Sequence, residues 1–429
     1  MIGNLDTSRK EATVVGAGIA GLLAAYRLDR KGYRVTVLEQ KQRAGGLLRT
    51  ERTKYGIAEA AANSLLASPP VLQLCDELGV ELAEVRKDSR ARYILRKGKL
   101  RRFPLSPRET AVMLGRAAFM RASNHADILT LESWGQRHLG AAAVDYLLTP
   151  LVRGIYGLSP GEVGVMAAFP NLVVEPGKTL LGSLVRGRLQ RGSSKQGRPH
   201  MVAPEHGMGD LVERLERHLV ERLEDRFVKG TQVQDLPESP NILLATPADQ
   251  AARLLKADSP NLAELLEQVQ YTPLVSATGF VERTSLTKHL RGVGVLIPAR
   301  EGRSTLGVLF SSSSFPGRVT DESRWVSFTV MMGGSNGEDW VHASDEQIQR
   351  AITTELSDIL GLDGKPVALV INRWRRAIPR YSVNLPKVWQ AARETWCATP
   401  GRILFGNYTG QVSLRGMIES AARLGETVQ

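Results

Sequence analysis

Three glycines near the start of the chain, Gly16, Gly18 and Gly21, have the residue types and spacing of a dinucleotide-binding turn. An apolar run at 13–15 precedes them, and a helix-like segment continues from Ala20. Glycine permits a tight turn and a close approach of backbone to phosphate, and a helix N-terminus offers free N–H groups and a positive dipole end. The motif predicts a strand, a turn that binds a pyrophosphate, and a helix.

A second strand and an acidic residue give this motif its context. Residues 34–38 alternate as a strand does, and Glu39 follows them at about the 20-residue spacing from the glycines that such motifs use. A carboxylate at this position accepts a hydrogen bond from a ribose 2′-hydroxyl. It would repel the 2′-phosphate of NADP, so the spacing disfavours that cofactor.

A further glycine pair follows the acidic residue. Arg43, Gly45 and Gly46 come first, and Thr50 comes after them. Adjacent glycines bare their amides, and an arginine supplies a fork suited to phosphate. This segment resembles the extended flavin signature of the amine oxidase and protoporphyrinogen oxidase superfamily. The resemblance implies FAD as the cofactor.

Composition bounds the class of protein. The chain has 429 residues, of which 42% are hydrophobic, and this length predicts about three domains. The net charge of +12 favours an anionic partner or a solvated basic surface. Cys75 and Cys397 have no pairing or metal spacing, so a reducing compartment is expected and a metal site is not. The first ten residues lack the apolar core of a signal peptide, and no run reaches the length of about 18 apolar residues that a spanning helix needs.

Periodicity predicts helices where apolar residues recur at helical spacing and strands where they alternate. The predicted helices are 70–78, ending at Gly79, then 110–121, 210–223, one beginning at Ala248, and 413–424. The predicted strands are 92–95 and 99–103, joined by a turn at Lys97 and Gly98, then 241–247, 306–310, 325–332 and 402–405. The most linker-like stretch is 191–199.

The C-terminal segment carries a second cofactor signal. A strand is followed by Gly406 and Gly410, and a helix begins near Ser413. Such a helix can direct its N-terminal amides at the N1/O2 edge of a flavin, which becomes negative on reduction. A plain C-terminal strand and helix without a ligand is the alternative that spacing alone leaves open.

The whole chain is similar to the protoporphyrinogen oxidase family, FAD enzymes of haem synthesis. Matching segments occur in the same order along nearly the full length: 92–104, 150–156, 167–170, 206–211, 329–334, 378–381 and 406–410. The resemblance implies a mixed α/β and α+β fold with three parts. These are a Rossmann-like FAD-binding domain of discontinuous segments (11–86, 203–268 and 381–429), a β-rich substrate domain (87–105, 195–202 and 269–380) and an inserted helical membrane-binding domain (106–194).

The resemblance also implies two sets of site residues. The cofactor-binding positions are Gly16, Gly18, Ile19, Ala20, Gly21, Glu39, Gln40, Arg43, Gly45, Gly46, Val233, Gly406, Asn407 and Val412. The substrate-binding positions are Arg92, Gly154, Leu296, Leu309 and Met331. Arg92 would bind a propionate, the apolar side chains would sandwich a macrocycle, and Gly154 would let the backbone approach the pyrrole nitrogens. Arg92 as one cation of a basic hairpin, and the apolar residues as ordinary core, are the alternatives.

The implied function is FAD-dependent oxidation of protoporphyrinogen IX to protoporphyrin IX in haem biosynthesis. This six-electron reaction proceeds by three hydride transfers to flavin N5, with oxygen as the favoured acceptor and no catalytic side chain. Oxidation of coproporphyrinogen III to coproporphyrin III is an alternative that would suit further cations, at Arg90, Arg96, Lys97 and Arg153. Amine oxidation, carotenoid desaturation, a sugar-ring mutase and a non-catalytic flavin or tetrapyrrole carrier stay open.

The remaining expectations concern partners and location. A quinone is the alternative electron acceptor, and the next enzyme of the haem pathway and a second copy of the chain are further candidate partners; nucleic acid is not expected. Apolar and basic residues of 110–121 favour a cytoplasmic protein attached peripherally to the inner face of the plasma membrane. Residues 59–64 read Glu-Ala-Ala-Ala-Asn-Ser where relatives have a Gly-Pro pair, so the lining around the flavin ring is expected to differ.

Overall fold

The computed structural model describes residues 1–122, 129–190, 200–288 and 291–424, which excludes the linker-like stretch 191–199. The chain divides into two compact units: unit 1 is Met1–Glu84, His200–Gln270 and Pro386–Gln429, and unit 2 is Val85–Pro199 and Tyr271–Leu385. The predicted fold class, a Rossmann-like mixed fold built from discontinuous segments, is confirmed. The three domain boundaries stay predictions.

Unit 1 is centred on a parallel sheet. Its strands are β1 (Glu11–Val15), β2 (Arg34–Glu39), β10 (Phe227–Lys229), β11 (Asn241–Leu244) and β17 (Arg402–Leu404). They pair in the order β10-β2-β1-β11-β17. Two smaller sheets pair β3 (Thr50–Arg52) with β4 (Ile57–Glu59), and β9 (Met201–Pro204) with β5 (Leu65–Leu66) and β6 (Leu82–Glu84).

Helices complete unit 1. They are α1 (Ile19–Arg30), α2 (Pro69–Glu77), α9 (Met208–Leu223), α10 (Ala248–Leu255), α11 (Pro260–Glu267), α14 (Leu385–Glu394) and α15 (Leu414–Ala422). In α9 the side chains of Leu211, Leu215 and Leu219 are buried while Glu213 and Arg217 are exposed, as the periodicity predicts. The apolar stripe of α9 is thus what fixes the helix to the core of this unit.

Unit 2 is centred on a largely antiparallel sheet. Its strands are β7 (Arg92–Arg96), β8 (Lys99–Arg101), β12 (Tyr271–Glu282), β13 (Gly294–Leu296), β14 (Thr305–Leu309), β15 (Trp325–Gly333) and β16 (Ala368–Pro379). They pair in the order β16-β12-β15-β14-β13-β7-β8. The predicted β7–β8 hairpin is confirmed, with both turn residues left-handed, Lys97 at φ +52° and Gly98 at φ +69°.

The helices of unit 2 occupy two stretches of the chain. They are α3 (Pro107–Phe119), α4 (Leu131–His138), α5 (Ala141–Ala143), a π-helical turn (Val144–Leu148), α6 (Thr149–Tyr156), α7 (Val165–Ala168), α8 (Leu180–Gln190), α12 (Ser311–Ser314) and α13 (Asp345–Leu360). None of the residues of α3 is buried. Over the part of the chain that the structure describes, no helix has both the length and the apolar composition needed to cross a bilayer.

Helix α13 was not predicted within the β-rich segment 269–380. Its apolar residues, among them Ile348, Ile352 and Leu356, pack on one face of the large sheet. The sequence carried the signals for it, because Ser344 and Gln347 form a capping box and Gly361 ends the helix in the left-handed conformation. The alternating strands on either side obscured that helix.

Candidate cofactor and substrate sites

The predicted cofactor residues gather at the carboxyl edge of the parallel sheet of unit 1. Gly16 follows β1, Glu39 ends β2, and Gly406 lies two residues after β17. Because parallel strands end at one edge, these residues are brought together, and the Gly16 N–H donates to the Leu38 carbonyl at 2.7 Å. This is the edge at which open α/β sheets bind their ligands.

The three glycines of the first motif are constrained in different ways. A β-carbon at Gly21 would lie 1.8 Å from the Gly16 carbonyl oxygen, so the turn and α1 could not pack with a side chain there. Gly16 has φ +100°, and a β-carbon on it would lie 2.9 Å from the Ala245 carbonyl oxygen. A β-carbon on Gly18 would have no heavy atom within 4 Å apart from those of its chain neighbours. The open space in front of α1 fits a phosphate group, as FAD requires.

The second glycine pair packs against the first. The Gly45 N–H donates to the Ala17 carbonyl at 2.7 Å, which corrects the expectation that this amide is free for a ligand. A β-carbon at Gly45 would lie 2.5 Å from Val212 Cγ1, and one at Gly46 would lie 3.3 Å from Gly18 Cα. The pair therefore lets two loops approach each other beside the space at Gly18.

Glu39 is buried and holds the glycine turn. The residue is only 8% exposed. Its Oε2 atom accepts a hydrogen bond from the Ala17 N–H at 2.6 Å, and its Oε1 atom accepts one from the Lys41 N–H at 2.9 Å. Each carboxylate oxygen has room for a second donor, so binding of a ribose hydroxyl stays a prediction. Gln40, beside it, is exposed.

Arg43 binds its own loop. Its guanidinium donates to the carbonyls of Ala44 at 3.0 Å, Gly46 at 2.6 Å and Leu48 at 3.4 Å. The sequence predicted a guanidinium that binds phosphate at this position, whereas the structure shows one that binds the backbone carbonyls around the glycine pair. A phosphate contact by this residue stays a prediction.

The other predicted cofactor positions of this half lie near these loops. Ile19 and Ala20 are the first residues of α1. Val233 lies past β10, where the Thr231 N–H donates to the Glu39 carbonyl at 3.0 Å and Arg253 donates to the Val233 carbonyl at 2.5 Å. The segment leading to Val233 therefore lies beside the end of β2, where the adenosine end of a dinucleotide is expected.

The C-terminal strand, glycine turn and helix are confirmed as predicted. The Gly406 N–H donates to Thr409 Oγ1 at 3.2 Å, and that hydroxyl donates to the Gly406 carbonyl at 2.8 Å. Ser413 caps α15 by accepting from the Gly416 N–H at 3.1 Å. The two remaining predicted positions, both half-buried, lie between the glycine and the cap: Asn407 and Val412. Contact of this turn with a flavin ring stays a prediction.

Glu59, the first residue of the segment 59–64, is a buried carboxylate to which the sequence analysis gave no role. Glu59 is 3% exposed, and its Oε1 accepts from the Met208 N–H at 2.9 Å. Its Oε2 accepts from Thr50 Oγ1 at 2.7 Å, and the Thr50 oxygen accepts from the Gly209 N–H at 2.8 Å. Together they satisfy two of the free amides at the start of α9, which begins without a capping side chain of its own.

The predicted substrate residues share one face of the sheet of unit 2. Arg92 and Leu309 both lie opposite Gly294 in the strand register. Leu296 lies opposite Gly307, and Gly307 lies opposite Met331. Cross-strand partners and residues two apart point to the same side of a sheet. The register thus places all four predicted side chains, Arg92, Leu296, Leu309 and Met331, on one face.

These four residues differ in exposure from their neighbours along the strands. Leu296, Leu309 and Met331 are each partly exposed, and Arg92 is exposed, whereas Val295, Val308 and Val330 of the opposite face are buried. Partly exposed apolar side chains on one strand face leave a surface that can contact a ligand. Their binding role stays a prediction.

Gly154 joins the same set from α6. A β-carbon on it would lie 2.7 Å from Leu296 Cδ2, so the helix lies against the face that carries Leu296. The five positions predicted for the substrate, which are far apart along the chain, therefore lie on or against one face of the sheet of unit 2.

The same face carries buried hydroxyls that the sequence analysis did not single out. Thr329, opposite Leu309, places its Oγ1 3.0 Å from Thr278 Oγ1 and 3.1 Å from Ser311 Oγ. The alternation of β15 is the signal that could have found it, since Ser327, Thr329 and Met331 are two residues apart. The face thus combines apolar side chains with a hydrogen-bonded polar strip.

One of the predicted extra cations is used elsewhere. Arg96 binds Glu109 through two hydrogen bonds of 2.8 Å each, and its guanidinium lies 4.1 Å from the centre of the Tyr146 ring. These bonds, with the backbone N–H of Ser106, hold the pKa of the Glu109 carboxyl at about 2. Arg96 anchors α3 instead of offering a free charge to a substrate.

The fold and these sites define a class of flavoenzyme. The chain matches the family described as flavin containing amine oxidoreductase over residues 19–428, and it belongs to that family. It is an FAD-dependent oxidoreductase.

Particular relatives are more informative. The chain is 28% identical to protoporphyrinogen oxidase 2 of Arabidopsis thaliana, with 98% of this chain and 94% of the relative covered. It is 23% identical to coproporphyrinogen III oxidase of Bacillus subtilis, with 94% of each covered. Among solved structures it is similar to a candidate protoporphyrinogen oxidase from Exiguobacterium sp. 255-15, with a TM-score of 0.77, 25% identity and 98% of both chains covered.

Proposed function

We propose that this flavoenzyme oxidises a porphyrinogen to the corresponding porphyrin, as its relatives named for that reaction do. The observation that carries the proposal is the shared sheet face of Arg92, Leu296, Leu309 and Met331 in unit 2. A cation at one end of an apolar surface suits a flat macrocycle that carries acidic arms. An amine substrate would gain nothing from that cation.

The residues of the chain contribute binding and orientation. FAD, when bound, supplies the two-electron acceptor chemistry at its ring. The space at Gly18 receives the pyrophosphate, and Glu39 faces the ribose. Arg92 binds a carboxylate of the substrate through two N–H groups, and the apolar side chains of its sheet face hold the macrocycle in one orientation.

Protoporphyrinogen IX and coproporphyrinogen III are the two candidate substrates. The plant relative, which is the more identical of the two reported above, is named for the first, and the Bacillus relative is named for the second. Buried Arg153 favours the second, because it adds a cation to the same unit.

Parallel turnover assays test the proposal. The FAD-loaded full chain is mixed with each porphyrinogen in air, and porphyrin fluorescence is followed against the rate without enzyme. We expect enzyme-dependent fluorescence with at least one substrate, and a fall in kcat/KM of about tenfold or more in R92Q, since a charge-assisted pair is worth about 1.5–3 kcal/mol. Tight porphyrin binding with no enzyme-dependent oxidation would instead indicate a carrier.

Molecular oxygen is the electron acceptor that we propose, with a quinone as the alternative. An oxygen electrode, followed by anaerobic assays with a soluble quinone, separates the two. Oxygen uptake in step with porphyrin formation supports the first; turnover that needs the quinone supports the second.

We also propose attachment to an anionic membrane surface on the cytoplasmic side. Apolar side chains are exposed along α3 and α8 of unit 2, and the Phe119 residue is 82% exposed. The members of this apolar surface are Val112, Leu114, Phe119, Leu181, Leu184 and Val185. Basic residues accompany them, among them Arg108 and Arg186. Exposed apolar patches beside cations are typical of interfacial binding.

Flotation with acidic liposomes tests the attachment. We expect the full chain to float with the vesicles, and F119S combined with L184S to reduce the bound fraction severalfold. The exposed control variant V367S, which lies away from these helices in sequence, should float as the parent does. Recovery of the parent chain entirely in the soluble fraction at low and high salt would contradict the proposal.

A further inference from the structure

Arg153 is a buried cation of unit 2 that lies outside the sheet face described above. The residue is 7% exposed and lies in the last turn of α6. Its Nη1 donates to the Ile297 carbonyl at 3.3 Å, a single long hydrogen bond for a group with five donors. Among the residues that the structure describes, no carboxylate lies within ion-pair distance of it.

An arrangement of this kind is costly without a ligand. Burial lowers the pKa of the Arg153 guanidinium, because the charged form loses water. The negative end of α6 offsets part of that cost. Buried charges in proteins are ordinarily paired, so an unpaired one beside a binding face indicates an anion that arrives with the ligand.

Two other arginines of the unit are neutralised by carboxylates, unlike Arg153. Arg300 lies 3.1 Å from the Asp145 carboxylate, and Arg96 is bound by Glu109. Neither has the charge to spare for a second anion.

The position of Arg153 relates it to the predicted substrate face. The next residue of α6 is Gly154, whose β-carbon would contact Leu296, and the carbonyl that Arg153 binds belongs to the residue after Leu296. Arg92 lies opposite Gly294 in the strand register, and Gly294 is three positions before Ile297 in the chain. At about 3.3 Å per residue, Gly294, which pairs with Arg92, and Ile297, whose carbonyl binds Arg153, lie about 10 Å apart along the chain, on either side of Leu296.

We propose that Arg153 is a second carboxylate-binding subsite, at the edge of the macrocycle opposite the carboxylate that Arg92 binds. This inference rests on the proposed porphyrinogen oxidation. Coproporphyrinogen III carries a propionate on each of its pyrroles, whereas protoporphyrinogen IX carries propionates on two adjacent pyrroles and vinyl groups on the others. Only the tetracarboxylate has acidic arms at opposite edges of the macrocycle, so a subsite at that edge favours coproporphyrinogen III over protoporphyrinogen IX.

Substrate discrimination tests the subsite. In the FAD-loaded full chain, R153M should lower kcat/KM for coproporphyrinogen III about tenfold or more, mainly through KM, and change that for protoporphyrinogen IX less than about twofold. R153K, which keeps the charge, should retain most of the activity. The control R324Q removes an arginine of the same unit whose side chain is 62% exposed. It should leave kcat/KM unchanged for both substrates. Equal losses with both substrates, or no loss with either, would overturn the subsite.

A binding readout separates failure of the subsite from failure of the proposed function. If the parent chain oxidises neither porphyrinogen, the subsite is still tested by the affinity of the parent and of R153M for oxidised coproporphyrin III. We expect R153M to bind it more weakly. Unpaired burial predicts that the unfolding midpoint of ligand-free R153M equals or exceeds that of the parent chain. A lower midpoint together with unchanged coproporphyrin binding would make Arg153 purely structural and overturn the inference.

Discussion

Gly18 and Gly21 are three residues apart, and a methyl group at each would have a different effect. At Gly21 the added carbon would meet the Gly16 carbonyl inside the packed turn, whereas at Gly18 it would enter open space. Gly18 also has φ −63°, which any residue can adopt. A side chain at Gly18 is therefore compatible with folding and competes with the bound phosphate.

The variant G18A separates binding from folding. We expect the FAD-free protein to unfold at the same denaturant concentration as the parent, while the affinity for FAD falls about tenfold or more because the methyl group fills the phosphate space. Flavin absorbance titration measures the affinity. The control G115A, whose site in α3 is also open, should keep full FAD affinity. Unchanged FAD affinity in G18A would place the pyrophosphate elsewhere.

Glu39 is a residue whose structural role exceeds the one that sequence indicated. The variant E39Q replaces one carboxylate oxygen with an NH2 donor, so one of the two N–H groups, at Ala17 or Lys41, loses its acceptor. We expect the FAD-free variant to lose about 1–3 kcal/mol of unfolding free energy, measured with urea. The control E11Q, at an exposed carboxylate with a long ion pair, should change stability by less than about 0.5 kcal/mol.

At the scale of elements, the anchoring of α3 depends on the Arg96–Glu109 pair. The carboxyl of Glu109 has a pKa of about 2, below its ordinary value of 4.5. A depressed pKa contributes stability that is complete above the ordinary value and is lost as pH falls toward the folded value. Because the side chains keep partial contact with solvent, the contribution is modest.

The pH dependence of unfolding tests this anchor. Above about pH 5 we expect E109Q to unfold at a lower urea concentration than the parent. This difference in urea midpoint, the gap, should narrow as the pH falls toward 2. The matched control is E282Q, which removes an exposed ion pair with Arg324 in the same unit, and its gap should stay small throughout. A gap for E109Q that does not depend on pH would show that the pair contributes through packing alone.

The elements divide by how local their signals are. The β7–β8 hairpin and the apolar stripe of α9 were predictable, because a Lys-Gly turn and a helical period are read from adjacent residues. Two other features were not predictable: the hydrogen bonds of Arg43 to its own loop, and the hydrogen bond by which Glu59 caps α9. Each depends on which backbone groups the tertiary fold brings near the side chain. An element is therefore predictable from adjacent residues, whereas the bonds that a side chain makes depend on the tertiary fold.

At the scale of the molecule, each predicted set of site residues is assembled within one unit. The glycine turn, Glu39 and the C-terminal turn come together in unit 1, although more than 360 residues separate Gly16 from Gly406. That convergence could be anticipated from the parallel sheet alone, because its strands end at one edge. The face shared by Arg92 and Met331 could not, since it depends on the register of strands distant in the chain.

Cofactor loading should stabilise the whole chain by mass action. At an FAD concentration 100 times its Kd, the unfolding free energy should rise by about 2.7 kcal/mol, which thermal scanning detects as a higher Tm. FMN is the control, since it lacks the adenosine that Glu39 is expected to bind and should stabilise far less. Equal stabilisation by FMN would contradict the assignment of the carboxyl edge of the parallel sheet as a dinucleotide site.

Anaerobic mixing tests the central claim most directly. The FAD-loaded chain, in excess over protoporphyrinogen IX or coproporphyrinogen III, is followed simultaneously by flavin absorbance and porphyrin fluorescence. A flavoenzyme that oxidises porphyrinogens should bleach its flavin with at least one of them, with about three flavins reduced per porphyrin formed. A flavin that keeps its oxidised absorbance with both substrates, while benzylamine or another amine bleaches it, would contradict the assignment.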